Sequence, residues 1–160
     1  MAVLKANPKQ LEEILAVYDT ARKFMQANAN PSQWAGGYPQ RELLEKDIAE
    51  GKLYTVMDDG VIEGVFFFAE GPDSTYEFIK GEWLTPLPYH VVHRVASSGR
   101  KKGLLKTVIE FCFGFCDNIK IDTHKDNFVM QKALEKLGFV KCGIIYLENG
   151  EERIAYQVMK

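Results

Sequence analysis

Residues 89–116 constrain the fold of this chain more than any other segment. A β-branched run at 91–95, typical of a buried strand, leads into a loop at 97–103 and then into an apolar-rich stretch at 104–116, typical of a helix. Another strand pattern follows at 118–123. A strand, a helix and a second strand in this order predict two parallel strands joined by a right-handed crossover.

The loop that joins the first strand to the helix has the composition of an anion-binding site. It reads Ser97-Ser98-Gly99-Arg100-Lys101-Lys102-Gly103, with three consecutive cations that favour a multiply charged anion such as a pyrophosphate. Free N–H groups at a helix start and the positive end of its dipole both face a ligand in such a loop. The alternative is a solvated basic turn. Ligands bind beyond the carboxyl ends of parallel strands, where this loop lies, so the arrangement favours a ligand site.

Composition limits the function further. The chain has 160 residues, enough for one domain with its own core, and its 46% hydrophobic and 26% charged content is typical of a globular protein. The net charge of −2 argues against a general nucleic-acid-binding protein. No apolar stretch approaches the roughly 18 residues of a membrane span, and residues 1–9 lack the apolar core of a signal peptide. We therefore predict a cytoplasmic protein with no nucleic-acid or membrane partner.

The three cysteines indicate packing rather than metal binding. Cys112 and Cys116 lie four residues apart on the predicted helix among phenylalanines, Cys142 stands alone, and no C-x-x-C spacing occurs. We predict no metal site and a reducing compartment.

The remaining pattern predicts a single domain, 1–160, without repeats or linkers. Helices are predicted at residues 8–26, from Pro39 to a stop at Gly51, at 104–116 and at 127–137, and strands at 3–4, 53–57, 61–70, 75–80, 89–96, 118–123, 140–147 and 153–159.

Two motifs in this order resemble those of the GNAT superfamily of acetyl-CoA-dependent N-acyltransferases. The family motif Arg/Gln-x-x-Gly-x-Gly/Ala falls on residues 100–105, where Arg100 and Gly103 match and Leu105 departs from the usual small residue. Asn127, eleven residues before Gly138-Phe139, resembles the family's Asn…Gly-Phe helix after the fifth strand. The resemblance covers nearly the whole chain in order of elements.

The resemblance implies an α+β fold. We expect a central, mostly antiparallel sheet of six to seven strands with about four flanking helices. The family's fourth and fifth strands, here 89–96 and 118–123, would form its parallel pair.

The resemblance also implies acetyl-CoA as co-substrate. In the family, backbone amides of the motif hold the CoA pyrophosphate, and nearby lysines would supplement them; these positions are Arg100, Lys101, Lys102, Gly103, Leu104, Leu105 and Lys106. Val95 and Ala96 would pair with the pantetheine arm, and the Val95 N–H would stabilise the negative charge on the reacting carbonyl oxygen. Asn127 would hydrogen-bond the arm. Its alternative role, as N-cap of its own helix, does not exclude that one.

Transfer to an amine needs a group that removes the amine proton. His93 is our first candidate, because the period of two along a strand places it on one face with Val95, next to the expected thioester, and Arg94 on the opposite face. The alternative is a histidine packed between sheet and helix. His124 is the second candidate, and Glu70 or Glu77 could act through water.

The family's usual acid is a tyrosine seven residues after the asparagine, and this chain has Leu134 there. A thiol with a pKa near 8.5 is a tolerable leaving group without an acid. Tyr146 or water is an alternative that the sequence does not select.

Acceptor specificity in this family depends on the first two helices and their loop. Trp34 and Tyr38 lie there beside Gly36-Gly37, and aromatic walls fit an apolar or planar amine. The alternative is that Trp34 only covers the core.

Three hypotheses follow. The first is an N-acetyltransferase that acts on a primary amine of a small molecule or peptide in a ternary complex. The second is a non-catalytic acyl-CoA sensor or interaction module on the same fold, supported by Leu134. The third, a nucleotide or RNA binder, conflicts with the acidic net charge. Assembly as a homodimer is left open.

Overall fold

The computed structural model describes residues 1–160 and contains one eight-stranded sheet with four α-helices. In chain order the elements are β1 (Ala2–Lys5), α1 (Leu11–Ala27), α2 (Arg41–Ala49), β2 (Leu53–Asp58), β3 (Val61–Glu70), β4 (Lys80–Gly81), β5 (His90–Ser97), α3 (Leu104–Cys112), β6 (Asn118–Thr123), α4 (Phe128–Lys136), β7 (Val140–Tyr146) and β8 (Glu152–Met159). None of the helices has the length and hydrophobicity needed to cross a bilayer.

The sheet has the strand order β1-β2-β3-β5-β6-β8-β7-β4. Every neighbouring pair is antiparallel except β5 and β6, which are parallel and joined through α3. This confirms the predicted α+β fold and its parallel pair. The two strands are fifth and sixth rather than fourth and fifth because β4 is an additional two-residue strand. The sheet accordingly has eight strands instead of the six to seven expected.

The helices cover both faces of the sheet. On one face α1 and α2 pack against β2, β3 and β5 around a cluster that includes Ile14, Leu44 and Val65. On the other face α3 and α4 pack around a larger cluster that includes Val108 and Leu134. Burying apolar surface on both faces is what makes a sheet of this size stable.

The predicted strand at 75–80 is wrong over most of its length. Residues Ser74–Tyr76 form a single 3-10 turn, and only Lys80–Gly81 pair as a strand. The turn begins at Asp73, whose side chain accepts hydrogen bonds from the N–H and hydroxyl of Thr75. Asp, Ser and Thr favour such local bonds over a strand ladder.

The parallel pair separates soon after it begins. Only His90 with Ile119 and Val91 with Lys120 are paired, so β5 from residue 92 onward no longer meets β6. Its backbone edge on that side therefore faces open space between the two strands.

A β-bulge interrupts β5 at the same level. Val65 pairs with Ala96 and Phe67 with His93, so Arg94 and Val95 together oppose only Phe66. Arg94 adopts φ +51, a conformation that is uncommon for a residue with a side chain. An extra residue reverses the alternation of side chains beyond it.

The bulge contradicts the predicted faces of β5. Val95 packs with the α3 and α4 cluster, whereas the guanidinium of Arg94 lies 4.4 Å from the ring centre of Phe67, whose ring also contacts His93. His93 therefore shares its side of the sheet with Arg94 and not with Val95.

Candidate functional site

A cavity of about 810 Å³ opens where β5 and β6 separate. The α1–α2 loop, β3, β5, β6, the start of α4 and the β7–β8 loop contribute to its walls. Six residues that the sequence predicted for the site line it: Trp34, Tyr38, Glu70, His93, Val95 and Asn127. No group of three or more His, Cys, Asp or Glu side chains is arranged to hold a metal ion.

Four side chains hold the bulge at Arg94. The Arg94 guanidinium pairs with Asp47 of α2, with Nη2 to Oδ2 at 2.8 Å, and donates to the hydroxyl of Tyr38. One face of the guanidinium lies on the ring of Phe67. The hydroxyl of Tyr18, in α1, donates to the Arg94 carbonyl at 2.7 Å. Side chain and backbone of the strained residue are thus both fixed from the α1 and α2 side.

Tyr18, Tyr38, Asp47 and Phe67 form a clamp around Arg94. Burial is the largest influence on the pKa of Asp47 and of Tyr18 in this clamp. It raises the pKa of Asp47, although the neighbouring Arg94 acts in the opposite direction. Burial also raises the pKa of Tyr18 far above its ordinary value, so Tyr18 remains a hydroxyl donor at any physiological pH. A buried ion pair of this kind becomes costly when one partner is lost.

His93 lies between two carboxylates on the cavity wall. Its Nε2 is 2.8 Å from Asp73 Oδ2, within hydrogen-bonding distance. Its Nδ1 is 3.9 Å from Asp122 Oδ2, too far for a hydrogen bond but close enough for electrostatic attraction. The same Asp122 oxygen accepts the hydroxyl of Tyr76 at 2.6 Å. A proton on either nitrogen of His93 would therefore face a carboxylate.

Asp73 stays ionised well into the acid range. Burial acts to raise its pKa, but hydrogen bonds from His93 and Thr75 outweigh burial and hold the pKa at about 2. The carboxylate is therefore a permanent acceptor for His93 and fixes the orientation of the ring.

The start of α3 has the features of the predicted anion site. Gly103 precedes the helix with φ +75, no side chain caps the helix, and a Cβ at Gly103 would meet nothing within 4 Å. The first N–H groups of a helix have no partner inside the helix, so those that follow Gly103 are free for a ligand. This uncapped helix start and the open space above it fit a phosphate group.

Some cations of the loop form close ion pairs within the protein, and the others do not. Arg100 donates to the buried carboxylate of Glu63 and to the carbonyl of Ile62. Lys101 pairs with Asp58 at 3.0 Å. Lys102 forms no ion pair, and Lys106 has only a 3.9 Å contact with Glu110. Of the predicted phosphate cations, Lys102 and Lys106 are therefore the ones whose charge is not neutralised by a close carboxylate.

The two leucines after Gly103 anchor the helix start. A Cβ at Gly64 of β3 would lie within 3.0 Å of three Leu104 side-chain atoms, so this glycine makes room for the helix to approach the sheet. Leu105, the departure from the family motif, packs against the α3 and α4 cluster. Its side chain therefore points away from the open loop.

Asn127 is the N-cap of α4, as the alternative interpretation predicted. Its Oδ1 accepts the N–H of Met130, and its Nδ2 donates to Gln33 of the α1–α2 loop at 2.8 Å. The bond to Gln33 uses one of the two Nδ2 protons, so the second remains available for a ligand.

Most of the remaining predicted residues lie in the core or outside the cavity wall. Trp34 is buried in the α1 and α2 cluster, as the alternative interpretation predicted, and it also reaches the cavity wall. Its contact with an acceptor stays a prediction. Ala96 is buried in the same cluster. Leu134 is fully buried and places no hydroxyl in the site. His124, Glu77 and Tyr146 do not line the cavity, whereas Glu70 does.

Sequence reasoning missed Asp73, Asp122, Arg153 and Gln33. The pattern Gly71-Pro72-Asp73-Ser74 predicts only a turn at Asp73. The signal for Asp122 was weak, because it only continues the polar positions Asn118 and Lys120 that alternate with isoleucine in this strand. Arg153 and Gln33 carried no comparable signal, since only the tertiary fold brings them to the cavity.

Solved structures resemble this one over the whole chain. A GNAT-family acetyltransferase from Streptococcus agalactiae has a TM-score of 0.90 and 29% identity, covering 99% of this chain and 95% of that one. A putative acetyltransferase from Staphylococcus aureus has a TM-score of 0.70 and 23% identity, covering 99% of both chains. A ribosomal-protein-alanine N-acetyltransferase from Brucella melitensis has a TM-score of 0.61 and 16% identity, covering 100% of both. No family model and no curated protein matches the sequence.

We expect Asp47→Asn to destabilise the protein by about 3 kcal/mol or more, because it leaves the Arg94 guanidinium buried without a counter-charge. Urea denaturation at pH 7 measures the free energy of unfolding. Glu12→Gln is the matched control, since it breaks the exposed pair with Arg41, which should contribute less than about 1 kcal/mol. Equal effects of the two substitutions would contradict the clamp.

We expect the Asp73 carboxylate to make the protein sensitive to acid. Its pKa is lower in the folded chain, about 2, than the ordinary value of about 3.9, so its contribution to stability is present above pH 4 and is lost as the pH falls towards 2. The loss should be about 2 kcal/mol. Denaturation at pH 5, 3 and 2 should give a shallower decline for Asp73→Asn than for the wild type, whereas the exposed control Asp19→Asn should follow the wild type. Parallel declines for all three proteins would refute this assignment.

Proposed function

We propose that this member of the GNAT superfamily is an N-acetyltransferase that uses acetyl-CoA and a primary amine of a small molecule or peptide in a ternary complex. The chain belongs to the superfamily by its fold and by 29% identity to a solved member over 99% of its length. One observation carries the proposal. The open edge of β5 runs from the cavity that holds His93 to the uncapped start of α3.

The residues present fit CoA along this edge. The N–H groups that follow Gly103 would hold the pyrophosphate, with Lys102 and Lys106 adding positive charge nearby. The unpaired edge of β5 around Val95 offers hydrogen bonds to the pantetheine arm, as an added strand would. Acetyl-CoA bound here supplies a thioester carbonyl and a thiolate leaving group.

His93 is the base in this proposal. With a proton on Nε2 donated to Asp73, the lone pair of Nδ1 is free to accept a proton from the acceptor ammonium. Nδ1, which then carries the proton, lies 3.9 Å from Asp122 Oδ2, and this carboxylate stabilises the resulting imidazolium. Asp73 and Asp122 thus favour the transfer from two sides, and the amine gains the lone pair it needs for attack.

In the proposal, Val95 acts on the second reactant, the thioester of acetyl-CoA. The amine nitrogen forms a bond to the carbonyl carbon, the C–S bond breaks, and the sulfur leaves with the electron pair. The nitrogen, which still carries two protons after the attack, releases one of them to water and becomes the neutral amide. The Val95 N–H, set by the bulge, would donate to the carbonyl oxygen as negative charge develops there, which contributes about 3 kcal/mol in comparable sites. With leucine at position 134, the thiolate leaves unprotonated and takes a proton from water.

The buried Leu134 supports a second candidate, a non-catalytic acyl-CoA sensor. The two functions differ in turnover. Thiol release from acetyl-CoA with a panel of amines, amino acids and peptides distinguishes them, because a sensor would bind CoA and release no thiol with any acceptor.

We expect Gly103→Val to weaken CoA binding about tenfold or more. The new side chain would fill the space above the helix start and would have to adopt a left-handed backbone. Isothermal titration calorimetry measures the affinity. The control is Gly138→Val, which imposes similar strain after α4 (φ +90) in equally open space. If both variants bound CoA like the wild type, the loop would not be the phosphate site.

We expect His93→Ala to lower kcat about a hundredfold at neutral pH and to leave CoA affinity unchanged, because only proton removal is lost. His90→Ala is the control on the same strand, since His90 stacks on Phe68 and does not line the cavity. Steady-state thiol release across pH 5–9 gives the rates. An unchanged rate for His93→Ala at every pH would remove His93 from catalysis.

A further inference from the structure

The charged side chains around the cavity are not all neutralised within the protein. Arg94 is matched by Asp47 in a close ion pair. Arg153, at the start of β8, is a second arginine on the cavity wall, and its side chain is only 7% exposed. The contacts of Arg153 therefore decide whether its positive charge is available to bind an anionic group of a ligand.

Arg153 has only one carboxylate partner, the exposed side chain of Glu151. Nη1 donates to the carbonyl of Glu152 at 2.9 Å, and Nη2 lies 3.5 Å from the carbonyl of Gln33. Its one acidic contact is with Glu151 Oε2 at 3.3 Å, and the Glu151 side chain is 54% exposed. A guanidinium favours a paired, two-bond contact with a carboxylate, and Glu151 provides only a single long one from solvent.

The opposite charge is in excess elsewhere on the same wall. Asp73 and Asp122 both face the one imidazole of His93, and Tyr76 adds a neutral hydroxyl donor to Asp122. Two carboxylates that share one imidazole leave net negative charge, and this charge attracts an ammonium group. The cavity thus has an anionic part at His93 and a buried cationic part at Arg153.

We propose that the acceptor is a small zwitterion, such as a free amino acid, whose carboxylate binds Arg153 while its amine lies at His93. This inference rests on the proposed acetyl transfer and narrows its acceptor class. The carboxylate would take the place of the Glu151 contact and gain the two-bond geometry that Glu151 does not provide. A peptide N-terminus lacks a carboxylate near its amine and would leave Arg153 without one.

Matched acceptors test the inference. The probes are phenylalanine, phenylalanine amide and phenethylamine, and in parallel lysine, lysine amide and cadaverine, with initial rates of thiol release from acetyl-CoA. We expect KM for the amino acid to be at least about tenfold lower than for the amide and the amine, the size of effect that one charge-assisted bidentate contact gives. Equal KM values within both sets would overturn the inference, whereas no release with any of the six acceptors would count against the proposed function itself.

Two substitutions give opposite expected results. Arg153→Gln should raise KM for the amino acids about tenfold and leave KM for the amines unchanged. Glu151→Gln should lower KM for the amino acids, because it removes the competing carboxylate from a solvent-exposed position where folding is not at risk. Arg41→Gln, whose pair with Glu12 is remote from the cavity wall, is the control and should match the wild type. If Glu151→Gln raised KM for the amino acids, Glu151 rather than Arg153 would contact the acceptor, and the inference would fail.

Discussion

Arg94 turns the backbone of β5 through a left-handed conformation, and four side chains from other elements hold it there. Without that support the strain of a positive φ at a residue with a side chain would favour a regular strand. Tyr18 of α1 and Asp47 of α2 belong to the clamp, so the packing of those helices is linked to the geometry of the strand edge. In a regular β5, the side chain of Val95 would lie on the same face of the sheet as that of His93. Arg94 and Val95 would then no longer both oppose Phe66. The local shape of the candidate site therefore depends on this buried interaction.

The clamp and the separation of β5 from β6 act on the same stretch of strand. Pairing with β6 ends at Val91, and the bulge begins three residues later. From residue 92 onward the strand exposes a backbone edge inside the protein, which would be costly if nothing bonded to it. The edge leads to the uncapped start of α3, where further N–H groups lack partners. An extended ligand with a phosphate at one end matches both sets of groups.

The sequence predicted the elements that depend on local pattern. The β-branched run, the glycines and the helix predicted at 104–116, which in the structure ends at Cys112, identified the crossover and the loop between its strand and its helix. Strand propensity, turn residues and periodicity are properties of short segments. The bulge at Arg94 was not predictable, since it depends on contacts with Tyr18 and Asp47, which lie far away along the chain. The carboxylates around His93 were missed for the same reason. Asp73 lies in a predicted turn, but its contact with His93, 20 residues further along the chain, depends on the tertiary fold.

The most direct test of the account is an amide chemical-shift titration with CoA and with acetyl-CoA. CoA should shift the amide resonances of residues 103–106 and of the open edge of β5 more strongly than any others. Exchange of CoA for acetyl-CoA should then change the Val95 amide above all others, because that N–H would meet the acetyl carbonyl. Shifts confined to other surfaces, or no difference at Val95 between the two ligands, would contradict it.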